Sequence, residues 1–136
     1  MLKYALPIAL AAFAVPSFAA GDAAKGQTEF NKCRSCHTIT KADGTVVVKG
    51  GKVGPDLGGV VGRKIGSVEG FAYSDAVKKV AETGAVWDEA EIAAYVQDPS
   101  KWLDDKGGDP SLKSKMTFKL PKGGEDVAAF LASAVK

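Results

Sequence analysis

The sequence predicts an all-α fold of about five short helices wrapped by long loops. Two observations predict it. Several stretches place apolar residues at helical spacing and are bounded by Asp, Ser, Gly or Pro where caps and stops belong. The ground between them is dense in turn signals: Asp43-Gly44, Gly50-Gly51, Gly54-Pro55 and Gly58-Gly59. Short helices with this much loop carry too little apolar side chain to fill a core. The fold therefore implies an inserted hydrophobic body.

Met1 to about Ala20 reads as a cleaved signal peptide. Lys3 supplies a positive start, Ala5 to Val15 is apolar apart from Pro7, and Ser17-Phe18-Ala19 offers small residues for cleavage. Cutting after Ala19 is favoured, with Ala20 the alternative. A retained anchor wants about 20 apolar residues, and this run breaks at Pro16. Residues 21–136 then form one domain of roughly 116 residues, enough for a modest core.

Asp22 is a suitable N-cap for a first helix running through Phe30 to about Lys32. Gly26 and Phe30, four apart, share one face. Glycine inside a helix costs up to about 1 kcal/mol relative to Ala, which points to the close approach of another backbone.

Cys33-Arg34-Ser35-Cys36-His37 comes next, and it has the C-x-x-C-H form of c-type haem attachment. Two thiols three residues apart on one helical turn can both form thioethers with the vinyl groups of one porphyrin. The adjoining His37 then binds iron as proximal ligand. These are the chain's 2 cysteines and its 1 histidine. A zinc site needs four ligands and falls short. A thioredoxin-like pair belongs at the end of a strand, whereas a short helical segment precedes this one. A plain disulfide fits the same spacing. Export through a leader agrees with haem attachment outside the cytoplasm.

Thr38 to Val61 reads as a long loop in which Thr45-Val46-Val47-Val48 makes a short strand or hairpin arm. Such a piece does not survive as an independent sheet, so the loop must lean on something, and the haem is the available hydrophobic object. Ser74 caps a helix to Thr83, with Val77, Val80 and Ala81 on one face and Gly84 as stop. Asp88 and Glu91 resemble a capping box for a helix to Gln97, with Ile92, Tyr95 and Val96 inward and Asp98-Pro99 at its end. Trp102 and Leu103 fall on a further short turn. Asp104 to Lys113 is polar and Gly-rich, hence a surface loop. The last helix runs from about Gly124 to Val135, with Glu125 and Asp126 at its positive end and Lys136 at its negative end. Val127, Phe130, Leu131 and Ala134 form its apolar stripe.

The chain has 2 methionines, and Met1 leaves with the leader. Met116 is then the first choice for a second strong ligand on iron, and a lysine the second choice. The surrounding Lys113-Ser114-Lys115-Met116-Thr117-Phe118-Lys119 is polar and basic, unlike a core stripe that a methionine would merely fill.

The formal net charge is +2, and losing Lys3 lowers it by one. This near balance disfavours nucleic-acid binding. Functional charge must lie in its distribution.

From Gly21 to Lys136 the chain resembles the class I cytochrome c family, most of all the bacterial cytochromes c2. The resemblance rests on the Cys33–His37 motif, Gly54-Pro55-Asp56-Leu57, Gly62-Arg63-Lys64, Gly70-Phe71-Ala72-Tyr73-Ser74-Asp75-Ala76, Trp87, Tyr95 with Pro99, and Lys115-Met116-Thr117-Phe118. It implies a cytochrome c fold around one covalent haem c. It implies that Pro55 orients His37 through its carbonyl, and that Gly26 and Phe30 pack on Phe130 where the first and last helices cross. It assigns Arg63, Tyr73 and Trp87 to a haem propionate and Tyr95 to a hydrogen bond with the Met116 sulfur. Two features depart from mitochondrial relatives. Val77 stands where those commonly have Asn, and the loops 41–52 and 104–113 are longer.

The resulting expectation is a monomeric periplasmic one-electron carrier and not an enzyme, with His37 and Met116 as axial ligands. The resemblance implies reduction by a quinol–cytochrome c oxidoreductase complex of the bc1 type. It implies oxidation by a photosynthetic reaction centre or a terminal oxidase. Lys32, Lys49, Lys52, Lys106, Lys113, Lys115, Lys119 and Lys122 flank the haem-surrounding segments and are expected to guide docking to acidic partners. The alternative is a haem enzyme subunit or gas-binding c-type haem protein with an open sixth site. No second histidine exists for distal acid–base work there.

Overall fold

A computed structural model describes residues 21–135. The expected signal peptide and the C-terminal charge of Lys136 lie outside the described residues. Five α-helices, among the described residues, run in the order α1 (Ala23–Glu29), α2 (Asp75–Ala81), α3 (Glu89–Gln97), α4 (Pro99–Gly107) and α5 (Gly124–Ser133). A two-stranded antiparallel ribbon, β1 (Ile39–Thr40) with β2 (Val46–Val48), sits between α1 and α2. No described helix is long and apolar enough to cross a membrane.

Asp22 caps α1 by accepting from the amides of Ala24 and Lys25, and a 3-10 turn over Phe30–Lys32 carries the chain into the first cysteine. The α1–α5 crossing anchors the fold. A Cβ at Gly26 would collide with the Asp126 carbonyl, so only glycine lets the two backbones come this close. Asp22 N donates to the Asp126 carboxylate at 2.7 Å. Phe30 and Phe130 meet with ring centroids 5.7 Å apart. The expected Gly26, Phe30 and Phe130 contact is therefore present. The main core surrounds it with Ile92, Val96, Val127 and Leu131. A second cluster of Ile65, Ala76, Val80, Trp102 and Leu103 joins α2 to α4.

Two expectations need correction. Trp102 and Leu103 belong to a nine-residue helix, not a short turn, and Asp104 to Gly107 are its last turn, not loop. Asp98 both ends α3 and caps α4, accepting from Lys101 N at 3.1 Å, and Pro99 takes the first helical position. Burying Trp102 and Leu103 outweighs the polar character of residues 104–107. Second, Asp88 caps α3 by accepting from Glu91 N at 2.7 Å, but the Glu91 carboxylate does not complete a capping box. It accepts from the Trp102 indole N–H and from Lys106, both at 2.8 Å. Within the long loop, Val48 pairs with Ile39 and packs on the main core, while Val46 remains 53% exposed. Only the later part of that loop, from Val53 onward, faces the central cavity.

Candidate haem site

The cavity, of about 370 Å³, opens between the α1 turn, the 53–73 loop, α3 and the 114–118 segment. Every site residue expected from the sequence lines it: Cys33, Cys36, His37, Pro55, Arg63, Tyr73, Trp87, Tyr95 and Met116. Val60, Phe71, Ile92, Val96 and Leu131 make its apolar wall.

Helical hydrogen bonds set the motif in place. The amides of Cys36 and His37 both bond to the Cys33 carbonyl, at 3.2 and 3.0 Å. This turn brings the two thiols to one wall, and they do not form a disulfide. Burial, reinforced by Glu29 and Cys36, pushes the Cys33 thiol up to about 11. His37 is 9% exposed, and its Nδ1 lies 2.8 Å from the Pro55 carbonyl. Burial lowers its pKa, which favours the neutral ring.

Sequence reasoning missed several supports of this ring. Gly54 lies flat against it, because a Cβ there would collide with His37 Cε1. Asp56 accepts from Thr40 N and Gly58 N and so folds the Pro55 loop back onto β1. The glycine and the aspartate that flank Pro55 were the available signal for both.

Arg63 donates through Nη1 to the carbonyls of Asp56 and Gly58 at 3.0 and 3.2 Å. Tyr73 Oη accepts from Val68 N at 3.0 Å, which leaves its proton free to donate elsewhere. Trp87 stacks on Trp102 with centroids 5.0 Å apart and meets Tyr95 edge to face. Tyr95 lines the cavity as Ser114 does, and burial raises the pKa of its hydroxyl. Ser114 Oγ accepts from Met116 N at 3.0 Å. Sequence reasoning missed Ser114, which holds the backbone of the Met116 segment. A hydroxyl two residues before the methionine was the available signal.

No family model matches the chain. Known proteins nevertheless resemble it closely. Cytochrome c-550 of Paracoccus versutus is 56% identical over 128 residues, 92% of this chain and 83% of the relative. Cytochrome c2 of Rhodobacter capsulatus is 52% identical over 132 residues, 97% of this chain and 96% of the relative. The solved structure of the Rhodobacter capsulatus protein superposes with a TM-score of 0.83 at 54% identity, covering 85% of this chain and 100% of that one. Ferric cytochrome c-550 of Paracoccus versutus superposes with a TM-score of 0.82 at 58% identity, covering 85% and 99%. With this fold and this cavity, the chain belongs to the class I c-type cytochromes of the cytochrome c2 and c-550 group, electron carriers rather than enzymes, with covalently held haem c.

Proposed function

We propose that the chain carries single electrons in the periplasm, from a quinol–cytochrome c oxidoreductase complex of the bc1 type to a photosynthetic reaction centre or a terminal oxidase. Residues 1–20 are its cleaved export signal, and it works as a monomer. The observation that carries the reading is one apolar cavity lined by two thiols, an imidazole and a thioether.

That donor set fits a c-type haem. Cys33 and Cys36 hold it by thioethers. His37 would bind iron through Nε2, because Nδ1 is committed to the Pro55 carbonyl. Met116 would supply a second iron ligand. Haem c, when bound, supplies the one-electron iron couple. The thioether of Met116 is a soft donor that favours the ferrous state and raises the potential. Arg63, Tyr73 and Trp87 offer donors to a propionate, and Tyr95 stands beside the Met116 segment. With His37 and Met116 both as ligands the iron would offer no position to a substrate, and the chemistry supplied would be electron transfer without bond making.

The test is carbon monoxide addition to the reduced protein. Native protein should not bind it readily, whereas Met116→Ala should bind it and show a lower potential. Ready binding by the native protein would favour a gas-binding or enzymatic haem protein instead. An unchanged spectrum and potential in Met116→Ala would remove Met116 from the iron.

A further inference from the structure

The segment around Met116 is held in an unusual way. Among the described residues, 113–119 make no main-chain to main-chain hydrogen bond. The segment hangs between two apolar ends. Leu112 packs on the α2–α4 cluster. Leu120 is 4% exposed, and its amide donates to the Val96 carbonyl at 2.7 Å. Between these ends the chain relies on side chains.

Three side-chain anchors are present. Lys115 Nζ donates to the Ala72 carbonyl at 3.2 Å. Lys119 pairs with Asp98 at 3.0 Å. Both lysines are exposed, and contacts of this kind are worth little in water. The third anchor is different. Ser100, the second residue of α4, accepts through its hydroxyl from Ser114 N at 3.0 Å, in a half-buried setting. Ser114 Oγ then accepts from the Met116 amide at 3.0 Å. The chain of contacts runs from a rigid helix to the backbone of the methionine in two steps. It also lies only two residues from Met116, whereas the Leu120 end is four away.

We propose that Ser100 is a positioning residue for Met116. Its hydroxyl fixes Ser114 to the start of α4, and Ser114 holds the amide of Met116. Loss of the Ser100 hydroxyl strips Ser114 N of its partner. The methionine segment then swings away from the iron more often, without any change in the ligand itself. The proposal rests on Met116 as iron ligand.

The experiment measures the rate at which imidazole binds the ferric holoprotein, since imidazole can enter only when the methionine leaves. Ser100→Ala should raise this rate about fivefold, the effect of one ordinary hydrogen bond. Ser100→Thr, which keeps the hydroxyl, should restore the native rate. Lys101→Ala, on the exposed face of the same helix, should leave it unchanged. In the Met116→Ala background, Ser100→Ala should change unfolding stability but not imidazole binding. An unchanged rate in Ser100→Ala, with fast binding in Met116→Ala, overturns the role of Ser100. Slow binding in Met116→Ala overturns the ligand assignment on which it rests.

Discussion

The imidazole Nδ1 of His37 donates to the carbonyl oxygen of Pro55 across 2.8 Å. A carbonyl can only accept, so Nδ1 carries the proton and Nε2 keeps its lone pair. The contact therefore fixes the tautomer and the ring plane together, which is what a metal-binding histidine needs. It depends on the loop before Pro55 lying against the ring.

That loop is tested at Gly54. Its amide donates to the Cys36 carbonyl at 2.8 Å, and its α-carbon leaves no room for a side chain beside the ring. Gly54→Ala should displace either the loop or the imidazole, at a cost of about 1–3 kcal/mol. Denaturant unfolding should show the loss, and the ferric absorption spectrum should shift with it. Native stability in the variant would mean that the ring is not pressed by this loop.

Covalent attachment is tested at the thiols. Acid-acetone extraction should leave the colour with the polypeptide in the native protein. Cys33→Ala and Cys36→Ala should each retain at most one thioether, read from the pyridine derivative's absorption. Free extraction of haem from native protein, or a Cys33–Cys36 disulfide in it, would refute the assignment.

The Glu91 strut gives a pH dependence. Its carboxylate is held below the ordinary value of 4.5, chiefly by the Lys106 hydrogen bond and also by the Trp102 indole. A carboxylate with a lowered folded pKa binds fewer protons folded than unfolded. Its contribution is complete above the ordinary glutamate range and fades as the pH falls through the lowered value. Native protein should therefore exceed Glu91→Gln in stability at neutral pH, and the gap should close on acidification below about 4.5. Thermal unfolding across that range measures it. A gap that widens in acid would reverse the assignment.

Much of this site was legible because its chemistry is local. Cys33, Cys36 and His37 lie within five residues, and counting left Met116 as the available thioether. Asp22, Ser74 and Asp88 cap the helices they open, since a cap is a one-turn interaction. The features that stayed hidden depend on contacts between distant segments. The polar stretch after Leu103 gives no apolar period, yet α4 continues to Gly107 because Trp102 and Leu103 are buried and Asp98 and Pro99 begin it well. Glu91 has capping-box spacing, but a Trp and a Lys from the next helix outcompete the amide it would have served. Ser100 and Ser114 are 14 apart, with nothing in either neighbourhood to announce the pair.

The lysines expected at the docking face are not equivalent. Lys32 pairs with Glu29 and Lys106 with Glu91, both at 2.8 Å, and Lys119 pairs with Asp98 at 3.0 Å. Each such pair reduces the field its lysine sends outward. Lys115 instead donates to an uncharged carbonyl and lines the cavity, and among the described residues it has no acidic partner. Lys52 is exposed and adjoins Val53, which is 78% exposed at the same cavity. A carrier needs fast arrival and fast release. Electrostatic steering supplies the first, and a small interface the second. Lys115→Glu and Lys52→Glu should therefore slow the second-order reaction with an acidic oxidant more than Lys119→Glu does. Lys78→Glu, on α2 beside Asp75, should slow it least. The Lys115 variant needs an unaltered absorption spectrum for its rate to report docking, because Met116 is adjacent. The native rate should fall steeply as salt rises toward 0.1 M, where the screening length shrinks to about 10 Å. Equal losses at all four lysines, or a rate indifferent to salt, would place the docking site on another face.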